Sequence, residues 1–126
     1  MANSPQGVSR LAPCPRTPNC VSTQAPLGRQ HMEPIRYTGL LREARERLLR
    51  VLREHPRTTL VREEADYLKA ECRSALFRFV DDVEFVFDDA GKWIHFRSAS
   101  RLGRSDFGVN RKRMEEIRRA FEAGSA

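Results

Sequence analysis

"DVEFVFDDAGKWIHF", residues 82–96, decides the fold class. Val83, Phe85 and Phe87 alternate with Glu84 and Val86, the period of two that puts successive side chains on opposite faces of a strand. After Asp88, Asp89, Ala90 and Gly91 the alternation resumes, with Ile94 and Phe96 opposed to Trp93 and His95. Two alternating runs around a short turn predict a β-hairpin, with Gly91 supplying a positive φ in its loop. Both faces of this hairpin carry apolar side chains, so both must be covered.

Working outward, "TTLVREE" (58–64) and "DYLKAECRSALFRF" (66–79) read as two further strands meeting near Glu64 to Asp66. Upstream, Leu41, Ala44, Leu48 and Leu52 recur at helical spacing, which predicts a helix over about residues 39–54, capped by Thr38 and stopped at His55-Pro56. Downstream, Asn110 is the expected cap of a second helix whose Met114, Ile117 and Phe121 share a face, closing near Gly124. Residues 1–36 contain Pro5, Pro13, Pro15, Pro18, Pro26 and Pro34 and read as extended and irregular. The expected architecture is α+β: a four-stranded antiparallel sheet packed against two helices, with an extended proline-rich N-terminal arm. Residues 1–36 form that arm, partly docked on a single α+β domain of residues 37–126. Two helices cover one sheet face; the other needs the arm, a partner chain or a ligand, and the arm, ordered over residues 12–30, is the expected cover.

A chain of 126 residues, 40% hydrophobic and 32% charged, is long enough for one core without metals or disulfides. It has no apolar run of membrane-spanning length, and its N-terminus lacks a charged segment followed by an apolar one, so a cytoplasmic protein is expected. Cys14, Cys20 and Cys72 then read as reduced thiols. Net charge is +6, yet residues 39–126 alone carry nineteen bases against sixteen acids, so there is no basic block and nucleic acid is not the expected partner.

Three blocks, "CPRTPNCVST" (14–23), "RSALFRFVDDVEF" (73–85) and "RSASRLGRSDFGVNRKRMEEIR" (97–118), occur in this order and resemble the family catalogued as domain of unknown function 1499. The resemblance spans roughly residues 12–122. It implies a single domain found in bacteria and plant plastids, without an agreed activity. Many relatives resemble lipoproteins or carry a membrane-directing N-terminus, from which this chain departs.

Candidate chemistry concentrates in residues 97–111, which run into the second helix. Arg111, Lys112 and Arg113 occupy its first turn, where the dipole and N–H groups favour negative charge. Nearby acid is therefore expected, either Asp106, Glu115 and Glu116 or a bound phosphate or carboxylate. The binding reading gathers Arg97, Ser98, Ser100, Arg101, Asp106, Asn110 and Arg111 at that anion. Asp81, Asp82 and Glu84 form an acidic cluster able to perform acid/base work, although pairing with arginines such as Arg97 and Arg101 is the expectation. Cys14 and Cys20, with five residues between them, form a candidate thiol pair. With His31 they miss the spacing of a zinc knuckle, so no metal and no cofactor is expected. No Ser-His-Asp order or nucleophile elbow appears. The leading function is a non-catalytic binding module for an anionic small molecule or acidic partner group at residues 97–111. The alternatives are an enzyme using Asp81, Asp82 and Glu84 opposite arginines, and an interaction module using the arm or a sheet face.

Overall fold

A computed structural model of the chain describes residues 11–75, 79–102 and 108–124. In chain order the elements are β1 (Cys20–Ser22), β2 (Ile35–Arg36), α1 (Leu41–Glu54), β3 (Thr58–Glu63), β4 (Tyr67–Arg73), β5 (Val80–Asp88), β6 (Trp93–Ser100) and α2 (Val109–Ala123). The fold is α+β, with two helices and one antiparallel sheet. Strand order is β1-β6-β5-β4-β3, and β2 also pairs with β6.

The central hairpin follows the alternation. Val83, Phe85 and Phe87 of β5 face Ser98, Phe96 and Ile94 of β6 in register. Their core side is closed by Leu48, Leu49 and Leu52 of α1 and by Met114, Ile117 and Phe121 of α2, all buried with Leu68 of β4. Gly91 does not supply the positive φ; Lys92 does, at 62°. Gly91 is needed for space, because a Cβ there would lie 2.8 Å from Trp93 Cδ1 and 3.1 Å from Asp88 Oδ2.

The sheet is wider than the four strands expected, because two segments from within residues 1–36 join it. Cys20 pairs with Ala99 and Ser22 with Arg97, while Ile35 pairs with Ile94. The prolines do not prevent this: β1 lies between Pro18 and Pro26, and β2 follows Pro34, so each short strand keeps its own N–H donors. Val21, Met32, Ile35 and Tyr37 belong to the main core. On the opposite sheet face, Leu11 packs with Tyr67 and Val86 in a separate small cluster.

Both helix starts differ from the expected caps. Lys92 Nζ donates to the carbonyl of Gly39 at 2.9 Å, and the chain stays extended through Leu40 before α1 begins. Thr38 is therefore not the cap. For α2 the cap position is Gly108, at φ 83°, a left-handed conformation suited to glycine. Asn110 is the second residue of the helix, where its side chain has another task.

Candidate functional site

β6 continues through Ser100, so Arg97, Ser98 and Ser100 sit on a central strand and not in a loop. Ser98 shares the core face with Phe96 and Ile94, and there it meets α2. Ser98 Oγ donates to Asn110 Oδ1 at 2.6 Å, and Arg113 Nη1 donates to the same Oδ1 at 2.8 Å and to Ser98 Oγ at 3.2 Å. Arg113 Nη2 reaches Asp81 Oδ2 at 2.7 Å, with both side chains 9% exposed. Asn110 Nδ2 donates to Ser100 Oγ and to the Asn19 carbonyl, each at 3.1 Å. This buried network joins β1's leading residue, β5, β6 and α2. It also answers part of the charge problem at the start of α2: the counter-ion of Arg113 is Asp81 of the sheet. Asp106 lies outside the described residues.

On the other sheet face, Arg101 binds Asp82 in a two-point fork, Nε to Oδ2 and Nη2 to Oδ1 at 2.9 Å each, and Nη2 also reaches Glu71 at 2.8 Å. The Arg101 hydrogen bonds hold the Asp82 carboxyl below the usual carboxylate range, with burial opposing and the charges of Lys69 and Arg97 assisting. A depressed folded pKa stabilises the fold above the unfolded value, about 3.9, and that contribution is lost as pH falls through the lower folded value. Arg101→Ala is therefore expected to flatten the pH dependence of stability below about pH 4, measured as urea midpoints across that range. An unchanged profile would mean that the fork does not persist in solution.

Glu84 accepts a hydrogen bond from Tyr67 Oη and lies 4.0 Å from Arg97 Nη1. Arg97 Nη2 donates to the Pro13 carbonyl at 3.3 Å, while its buried Nε has no partner among the described residues. Cys14 and Cys20 are not reduced thiols: they form a disulfide with Cα atoms 5.7 Å apart. Pro15 and Pro18 lie inside the ring it closes, and Pro13 immediately before it. Cys72 is a free thiol, and its burial pushes the pKa up.

Arg111 goes elsewhere. Its Nη2 donates to the carbonyls of Arg29 at 2.7 Å and His31 at 3.0 Å, tying the segment after β1 to α2. Beside it opens a cleft of about 770 Å³. Arg16, Thr17, Arg29, Gln30, Gly108 and Arg111 supply its polar walls, and Val21, Pro26 and Leu27 its apolar ones. Arg16 and Arg29 are exposed and make no ion pair among the described residues. The first turn of α2 at the mouth holds no acidic residue.

The structure thus separates the residues read as one anion site. Ser98, Ser100 and Asn110 belong to the buried network, Arg97 and Arg101 to the opposite face, and Arg111 to the cleft. The acidic cluster divides likewise, with Asp81 in the network and Asp82 and Glu84 across the sheet from it. Arg16 and Arg29 escaped sequence reasoning, since single arginines in a proline-rich segment carry no periodic signal. Among the described residues there is no group of three or more metal-ligating side chains and no helix long and apolar enough to cross a membrane.

No curated protein matches the chain. Residues 10–121, nearly its whole length, match the family described as Protein of unknown function (DUF1499), and the three sequence blocks that build the network and the cleft wall lie within that match, so the chain belongs to this family.

Proposed function

We propose that the protein is a non-catalytic binding module for an anionic small molecule, or for an acidic group of a partner, received in the cleft beside α2. The observation that carries this reading is the convergence there of Arg16, Arg29 and Arg111 from three segments. Guanidinium groups recognise phosphate and carboxylate through paired donors, and none of these three makes an ion pair among the described residues. The start of α2 adds the positive end of its dipole. Arg111 contributes charge and also fixes the backbone that carries Arg29.

The acidic cluster favours binding over catalysis. Asp81 and Asp82 are each hydrogen-bonded to an arginine, and a general acid at neutral pH needs a raised pKa, the opposite of the shift at Asp82.

Thermal melts at constant ionic strength, with chloride replaced by phosphate, test the reading. Phosphate at about a hundredfold excess over its Kd is expected to add about 2.7 kcal/mol of stability. Arg16→Ala and Arg29→Ala should each weaken the response, because each removes a charge-assisted donor. Arg101→Ala, whose guanidinium serves Asp82 and Glu71, should leave the response intact. Absence of any phosphate-specific shift in the wild type would contradict the proposal and favour the interaction-module alternative.

A further inference from the structure

The Cys14–Cys20 disulfide closes a small ring whose inner residues include Arg16, Thr17 and Pro18, and these three form one wall of the arginine cleft. We propose that this disulfide is a redox site, opened by a dithiol reductant, whose state determines whether the Arg16 wall of the cleft is in place. Its effect on the ligand rests on the anion-binding reading above; its effect on the chain does not.

The two sulfurs are unequal. Cys20 is 1% exposed and paired to Ala99 of β6, whereas Cys14 is only partly buried and precedes the first strand. An incoming thiolate therefore meets Cys14. It attacks Cys14 Sγ, the bond between the two sulfurs breaks, and Cys20 leaves as a thiolate that takes up a proton. The second thiolate of the reductant then attacks its own sulfur in the mixed disulfide and releases Cys14 as a thiolate, which is protonated in turn. The protein disulfide is reduced by two electrons and the dithiol is oxidised to a disulfide.

Besides the disulfide, the segment is anchored at its two ends, by Leu11, 8% exposed, and by Thr17, whose Oγ1 donates to Asn19 Oδ1, while the stretch between them is held lightly. Gln30 Nε2 donates to the carbonyls of Pro15 at 2.6 Å and Thr17 at 2.8 Å, Arg97 donates to Pro13 at 3.3 Å, and Leu11 packs on Tyr67 and Val86. The bonds from Gln30 to Pro15 and from Arg97 to Pro13 are solvent-exposed, where water replaces them readily. By contrast, Asn19 and Cys20 are buried and remain anchored, Asn19 through its carbonyl to Ser100 and Asn110 and Cys20 by pairing with β6. Reduction then frees residues 12–16 while β1 stays in the sheet. Arg16 leaves the cleft.

The test uses the full chain, oxidised, reduced with dithiothreitol, and as the double variant Cys14→Ser/Cys20→Ser. Brief trypsin exposure is read by mass spectrometry as the rate of cutting after Arg16 relative to Arg57, an exposed reference outside the ring. Reduction and the double variant are both expected to raise that ratio roughly tenfold or more, since local release governs cleavage. Phosphate Kd should rise about tenfold in the same two samples, the equivalent of one lost charge-assisted contact. An unchanged cutting ratio would overturn the proposal, as would labelling of Cys14 by iodoacetamide in the folded, air-oxidised protein. Equal phosphate Kd in both states would overturn control of the cleft. If phosphate binds to neither state, the anion reading fails, and the cutting ratio still decides whether the disulfide is a switch.

Discussion

Arg113→Met is expected to destabilise the domain by about 3–5 kcal/mol, because it leaves the Asp81 carboxylate buried without its partner. Asp81 and Arg113 are each 9% exposed and joined at 2.7 Å, and Arg113 also supplies a donor to both Ser98 and Asn110. Removing the guanidinium takes one donor from each of three residues, although Asn110 Oδ1 still accepts from Ser98 Oγ. For a domain of this size the loss corresponds to roughly 10–20 °C in Tm. Introducing Asp81→Leu in the same chain should recover most of the stability, since an apolar pair of similar volume avoids the desolvation of both ions. Urea unfolding of the two single variants and the double variant gives the coupling. A loss below about 1 kcal/mol for Arg113→Met would mean that water reaches Asp81 and that the pair is not buried.

Phe85→Ala should cost a similar amount, about 3–5 kcal/mol, through a different mechanism. Phe85 is fully buried at the centre of the sheet, opposite Phe96 on one side and Leu68 on the other. Truncation removes the transfer free energy of the ring and leaves a cavity that paired strands on both sides cannot collapse to fill. Val61→Ala on the edge strand β3, where the side chain is 42% exposed, should stay within about 0.5 kcal/mol. Equilibrium denaturation with the slope held common to both variants makes the comparison. A near-neutral Phe85→Ala would contradict the register that places this ring in the core.

The hairpin was legible because its alternation runs unbroken through Val83, Phe85 and Phe87 and resumes at Ile94 and Phe96, long enough for period two to exclude a helix. β1 and β2 were not. Strands of three and two residues carry no period of their own, and their pairing is set by the open edge of β6, which local sequence does not reveal. The helix caps differ because propensity nominates Thr38 and Asn110, whereas Lys92 bonds the residues on either side of Thr38, Tyr37 and Gly39, and Ser98 and Ser100 engage the Asn110 side chain.

Part of the buried network had a signal that helix-only reasoning overlooks. Asp81 has the strand parity of Val83, Phe85 and Phe87, which places a carboxylate on the core face and calls for a buried cation. Arg113 lies four residues before Ile117, on the core stripe of α2, and Ser98 and Ser100 share the parity of Ile94 and Phe96. The cleft had no such signal. Arg16 and Arg29 meet because the chain turns back after β1, with Ser22 bridging to His31 and Gln30 clasping Pro15 and Thr17. That return depends on buried neighbours far along the chain.

Isothermal titration of phosphate into the oxidised wild type, Arg16→Ala/Arg29→Ala and Arg101→Ala, at one ionic strength, tests the cleft most directly. One site is expected in the wild type and in Arg101→Ala, with affinity reduced about tenfold or more in the double variant through the loss of two charge-assisted donors. Absence of binding to the wild type, or undiminished binding to Arg16→Ala/Arg29→Ala, would contradict the anion-binding reading.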